Sequence, residues 1–150
     1  MTGYNAVSWQ TDADPSVTAS GAFSNPEVVA ARSHDLAKEL PFGTVIAVTG
    51  PADKQNSCGF GAVSGLIGYR VIADTMNESM HQHVDILFAN DASIPLGGGK
   101  SLNASNVLGV CDGVTITVVG RIRMKDIPKT QAELAALVEG TRAPLAVADK

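Results

Sequence analysis

Apolar residues along this chain fall in short runs, many rich in β-branched side chains, a pattern that predicts strands more than long helices. "LPFGTVIAVTG" (40–50) predicts a turn and then a strand. "YRVIAD" (69–74) and "HVDILFA" (83–89) predict two more. "GVTITVVGRIRM" (113–124) predicts the longest, and its apolar positions fall on both faces, so both are at least partly covered. "SVTASGAF" (16–23) predicts a short strand ending at Gly21. "NPEVVAARS" (25–33) predicts a helix start, with Asn25 as cap and Pro26 at the first helical position. A second helix is predicted near the C-terminus. Thr130 and Glu133 form a capping box, Leu134, Leu137 and Val138 make the apolar stripe, and Gly140 ends it.

The segments between are polar or glycine-rich. Residues 51–65 are predicted as a loop or a loose hairpin, 91–106 as a loop, and residues 1–16 as an irregular N-terminal arm. Five or more short strands with two short helices, not regularly alternating, favour a mainly β fold closed as a small barrel over an α/β sheet. The expected organisation is an arm (1–16), a barrel domain (17–124) and a C-terminal helix and tail (125–150).

Composition narrows the function classes. The chain has 150 residues, suited to one domain, with 45% hydrophobic and 17% charged residues, a globular balance. Its formal net charge of -4 and lack of a basic patch argue against nucleic acid and polybasic membrane contact as partners. No apolar run approaches the ~20 residues of a membrane span. The N-terminal stretch has no basic region followed by an apolar one, so no secretory signal is expected. Synthesis in the cytoplasm follows from that, with a place in a virion, or in the cell envelope if a removed segment directed export. Cys58 and Cys111 form no CxxC motif; a single disulfide and two buried thiols both fit. The GGGK at 97–100 lacks the spacing of a phosphate loop.

Five stretches, in this order, carry a resemblance: "TASG" (18–21), "AARSHDLAKELPFGTVIAVT" (30–49), "VIADT" (71–75), "VDILFA" (84–89) and "NVLGVCDGVTITVV" (106–119). Together they resemble the double-psi β-barrel proteins of the bacterial cell wall. The similar branches are the three-aspartate domain of the membrane-bound lytic transglycosylase A family, and the rare lipoprotein A branch related to barwin and expansins. The resemblance spans roughly 17–122 and implies a six-stranded double-psi barrel. Asp74 and Asp85, eleven residues apart, are similar in spacing to the last two family aspartates, and "QHVDI" (82–86) resembles the stretch around the second. Asp35, or His34 beside it, lies near the place of the first family aspartate or of the rare lipoprotein A histidine. The family's glycine-rich "DTGGAIKG" loop is here "DTMNESMHQH" (74–83), matching only at Asp74 and Thr75.

The chemistry implied by the resemblance is cleavage of peptidoglycan glycan strands without water. A protonated carboxyl gives its proton to the glycosidic oxygen, the sugar's own 6-hydroxyl attacks the anomeric carbon, and the same carboxylate takes that proton. The product is a 1,6-anhydro sugar. An acid kept protonated near neutral pH must be desolvated or set beside another carboxylate. Asp85 is the expected acid/base and Asp74 its electrostatic partner. Asp35 or His34 would position the sugar, with Thr75 and His83 as further substrate contacts. No cofactor is expected.

Blander readings stand beside these. An Asp at a strand end often only caps a turn. His81, His83 and Asp85 share one face of an extended strand, which invites a metal, but solvated strand faces look the same, and no metal is expected. Tyr4 and Trp9 in the arm would stack on a sugar or a partner, or pack on the body. The alternative function is a non-catalytic virion protein, a capsid decoration or tail component, that reuses the barrel. Its arm and tail would then contact other virion proteins or further copies of the chain.

Overall fold

The computed structural model describes residues 1–7, 14–52 and 58–142. Trp9 and residues 143–150 of the tail lie outside the described residues. The fold is mainly β. Its six-stranded mixed sheet holds β1 (Thr2–Asn5), β2 (Val29–Arg32), β3 (Thr44–Thr49), β4 (Arg70–Thr75), β5 (Val84–Phe88) and β8 (Thr115–Arg121). A separate hairpin pairs β6 (Ser93–Gly97) with β7 (Lys100–Asn103). Three α-helices complete it: α1 (Phe60–Ile67), α2 (Ala104–Leu108) and α3 (Gln131–Arg142).

The strand order is β1-β5-β2-β4-β3-β8. Two of its pairings are parallel, β1 with β5 and β2 with β4; the other three are antiparallel. The ladder joins the six strands without closing on itself among the described residues. The predicted closure is therefore not present as a hydrogen-bonded ring.

The inner strands of the sheet are buried on both faces, as alternating residues dictate, whereas edge strand β8 is half-buried to exposed along its length. Ala30, Ile46, Ile72, Ile86 and Phe88 face one apolar cluster, which α1 and α2 complete through Val63, Ile67, Ala104 and Leu108. Val29, Val45, Val71 and Leu87 face the other, which α3 covers through Leu134 and Val138. α3 begins with half of the predicted capping box: the Thr130 side chain caps it, while the return bond of Glu133 goes to Lys129 and not to Thr130. The Glu133 amide donates to Thr130 Oγ1 at 3.2 Å, and the Lys129 amide donates to the Glu133 carboxylate at 3.0 Å. Gly140 does not end this helix, which continues to Arg142.

Several elements differ from the sequence expectation. Residues 2–5 of the expected arm form a sheet strand, because Tyr4 and Asn5 are buried against β5. The helix expected at 25–33 is only a turn. The Asn25 side chain accepts from the Glu27 amide at 3.0 Å, and the buried, β-branched run that follows joins the sheet as β2. Residues 16–23 hold only an isolated bridge, Val17 with Phe23. Both predicted loops contain helix: α1 lies within 51–65 and beyond, and α2 follows the β6–β7 hairpin. The Gly43 turn before β3 is as expected. Its φ is 92°, and a Cβ there would run into the Ile122 carbonyl oxygen, so only glycine fits.

Two further features fix the frame. Cys58 and Cys111 form a disulfide across a sequence separation of 53 residues. Arg70, 1% exposed, sends its guanidinium into the carbonyl oxygens of Pro26, Val29, Leu66, Ile67 and Leu87. It thereby ties β4 to β2, β5 and the end of α1. Burial lowers its pKa to about 10, still well above neutrality.

Candidate functional site

Cross-strand register brings the two acids together. Thr2 lies opposite Asp85, Asp85 opposite Ala31, and Ala31 opposite Asp74, a row running over β1, β5, β2 and β4. Directly opposed residues point to the same side of a sheet. Strict alternation would set Asp74 on the face of Ile72. A register shift in the β2–β4 pairing, between Ala30 and Ala31, leaves Ala73 as an extra residue and turns Asp74 onto the face of Ala31. The methyl side chain of Ala31 leaves space between the two carboxyls. There a pocket of about 630 Å³ is lined by Thr2, Tyr4, Ala31, Asp74, Thr75 and Asp85. Val17, Ala19, Met76 and Met80 form further walls.

The two carboxyls are held differently. Asp74 has both oxygens engaged. Oδ2 accepts from the Tyr4 hydroxyl at 2.9 Å, and Oδ1 accepts from the Ala19 and Thr75 amides, each at 2.9 Å. Asp85 has one. Its Oδ1 accepts from the Thr2 hydroxyl at 2.9 Å, and Oδ2 has no protein partner among the described residues. Burial pushes the Asp85 carboxyl up to about 6, with a smaller push from Asp74 and a partial offset from the Thr2 hydrogen bond. Burial, with Asp74 beside it, also raises the Tyr4 hydroxyl far above its ordinary range. Tyr4 therefore remains a hydrogen-bond donor at every physiological pH.

The other sequence candidates lie around this centre. Thr75 lines the pocket and binds Asp74 through its amide. His83 does not line it; its Nε2 lies 2.7 Å from Thr2 Oγ1. Burial lowers the His83 pKa. His34 and Asp35 belong to a 3-10 turn, His34–Leu36, outside the pocket lining. Asp35 Oδ2 instead accepts from the Gln82 amide at 2.9 Å and from the Gln82 side chain at 3.1 Å. Hydrogen bonds from the Ser33 side chain and then the Gln82 amide pull Asp35 down to about 2. The His81, His83 and Asp85 alternation is interrupted at Gln82, whose φ is 49°, and the strand begins only at Val84.

Sequence reasoning missed Thr2 as a member of the site and gave Tyr4 a stacking or packing role. Only the parallel pairing of β1 with β5, between residues some eighty positions apart, brings them to the aspartates. A second pocket, about 580 Å³, lies between α1 and α3 and holds no carboxylate or histidine in its lining. No helix among the described residues is long and apolar enough to cross a membrane. No protein-family model matches the chain, and neither a curated protein nor a solved structure matches it.

Proposed function

We propose that this chain binds and cleaves peptidoglycan glycan strands, as a lytic transglycosylase-like enzyme of the double-psi β-barrel kind. The observation that carries the reading is one carboxyl. Asp85 shares a pocket with a fully engaged Asp74, keeps Oδ2 unengaged, and has its pKa raised toward neutrality. Those are the properties an acid/base needs to protonate a leaving oxygen and then recover a proton from an attacking hydroxyl. Asp74 acts as the fixed charge beside the developing oxocarbenium ion. Thr75 and the Asn77 end of the loop border the space where the sugar lies.

The barrel assignment has its own support. Two parallel pairs, β1 with β5 and β2 with β4, interleave with antiparallel ones. Met1, just before β1, and Val84 of β5 also line one cavity with Ile116 and Val118 of β8, from the other side of the sheet order. The disulfide fits an oxidising, wall-facing location.

The test is digestion of purified peptidoglycan, read by mass spectrometry for 1,6-anhydromuramyl products, with Asp85→Asn alongside. Products that vanish in the variant support the reading. A folded wild-type protein that yields none contradicts it. The second reading is a non-catalytic virion or assembly component. It predicts self-association or virion binding that Asp85→Asn leaves intact.

A further inference from the structure

One string of hydrogen bonds leads away from the pocket. Thr2 has a single hydroxyl hydrogen, and it goes to Asp85 Oδ1. With Oδ1 accepting, the 2.7 Å contact between the same hydroxyl oxygen and His83 Nε2 is a hydrogen bond donated by His83. In that arrangement His83 carries a proton on Nε2. The His83 backbone is itself clamped. Its amide donates to Ser33 Oγ at 3.0 Å, and its carbonyl accepts from the Ser33 amide at 2.9 Å. Ser33 is fully buried. The neighbouring Gln82 is held in its left-handed conformation by two hydrogen bonds to Asp35. A loop of "DTMNESMHQH", poor in glycine, thus ends in a fixed presentation of one imidazole.

We propose that His83 and Thr2 are positioning residues that select Asp85 Oδ2 as the oxygen that exchanges its proton with substrate. His83 Nε2–H orients the Thr2 hydroxyl, the hydroxyl holds Oδ1, and the carboxyl cannot rotate to offer Oδ1 instead. The proton travels only between Oδ2 and the substrate oxygens; none passes to His83. The inference rests on the acid/base reading of Asp85. The other titratable groups around Asp85 are Asp74 on β4, Tyr4 on β1 and the Met1 amino group, while β2 presents only Ala31 there.

The test uses Thr2→Val, Thr2→Ser, His83→Leu and His83→Gln in the full chain, with two readouts. The first is kcat and KM for release of 1,6-anhydro products from purified peptidoglycan. The second is the carboxyl titration of Asp85 by carbon NMR in the free protein, which needs no activity. Thr2→Val is expected to lower kcat about 100-fold with KM little changed, the scale of loss for a misplaced reacting group. It also removes a donor to the carboxylate, so the Asp85 midpoint rises by about one pH unit. Thr2→Ser restores both. His83→Leu moves both in the same direction by less, and His83→Gln, which keeps a donor, recovers part of each.

Wild-type kcat and an unmoved Asp85 midpoint in both Thr2→Val and His83→Leu would overturn the proposal. If Asp85→Asn is inactive in that case, the acid/base reading stands without it. Full activity in Asp85→Asn would instead remove the acid/base reading, and the proposal with it. If Thr2→Val does not fold, His83→Leu, whose side chain lies outside the pocket lining, decides the question by the same two readouts.

Discussion

Asp85 and Asp35 stand only a few hydrogen bonds apart and have opposite chemistry. Asp85 is half-buried among strands, accepts one hydrogen bond, and has a pKa pushed up to about 6. Asp35 is solvent-facing, accepts hydrogen bonds from its neighbours, and is pulled down to about 2. Both occupy positions that a resemblance to the three-aspartate proteins marks as candidates. The difference teaches that surroundings assign the role. Burial with one oxygen left open suits the acid/base role proposed for Asp85, whereas a full set of donors at the surface suits a loop anchor.

The sharpest way to break the comparison is by activity. Asp85→Asn is expected to cut glycan cleavage by about 10²–10⁴-fold, the range for loss of a general acid/base. Asp35→Asn should cost far less, since its effect passes through Gln82 and His83. Equal losses in the two variants, from assays of anhydro-sugar release, would erase the distinction.

Next in size is the disulfide. Cys111 exchanges backbone hydrogen bonds with Met1, so the bond anchors the chain next to Thr2 and therefore the Asp85 side of the comparison. Replacing both cysteines with serine is expected to cost up to about 4 kcal/mol by denaturant unfolding, from loop-closure entropy. In the folded fraction, Asp85 should lose its raised titration while Asp35 keeps its low one. If Asp85 still titrates as in the wild type, the disulfide does not support the site.

The pH dependence of stability separates the two acids by sign. An aspartate titrates near 3.8 when unperturbed, and Asp85 at about 6 in the fold. The folded state therefore binds the Asp85 proton more tightly. The stability this contributes is complete below pH 3.8 and is lost as pH rises through 6. The loss amounts to about 3 kcal/mol. Asp85→Asn removes it, so the inactive variant should be more stable than the wild type at pH 8, with the advantage vanishing in acid. Asp35 runs the other way. Its contribution is present above 3.8 and is lost as pH falls through about 2. Asp35→Asn should be slightly less stable at neutral pH, the smallest of these effects. Thermal unfolding of both variants across pH 2–8 checks the two signs, and parallel curves would contradict them.

Much of the framework was legible from the sequence. The runs around Val45, Val71, Ile86 and Thr117 became β3, β4, β5 and β8, because β-branched residues fit extended backbone; the first three are buried and β8 is a more exposed edge. Thr130 caps α3 through the Glu133 amide as expected, while the Glu133 carboxylate reaches the Lys129 amide one residue earlier. Asp74 and Asp85 were named as a pair, and they share a pocket. What was not legible depends on distant partners. The four residues of β1 carry no strand pattern of their own, and only pairing with β5 makes them one. The "NPEVVAA" run has the opening of a helix, yet burial on both sides made it a strand. The bulge at Ala73, which turns Asp74 toward Asp85, has no glycine or proline to announce it. His34 and Asp35 are candidates only through the family resemblance, and their turn lies outside the pocket lining.

The decisive measurement is the site-resolved titration of the aspartate carboxyls by carbon NMR on the wild-type protein. Asp85 is expected to titrate with a midpoint near 6, and Asp35 near 2. An Asp85 midpoint in the ordinary range near 3.8 would contradict its role as an acid/base whose pKa the pocket raises toward neutrality.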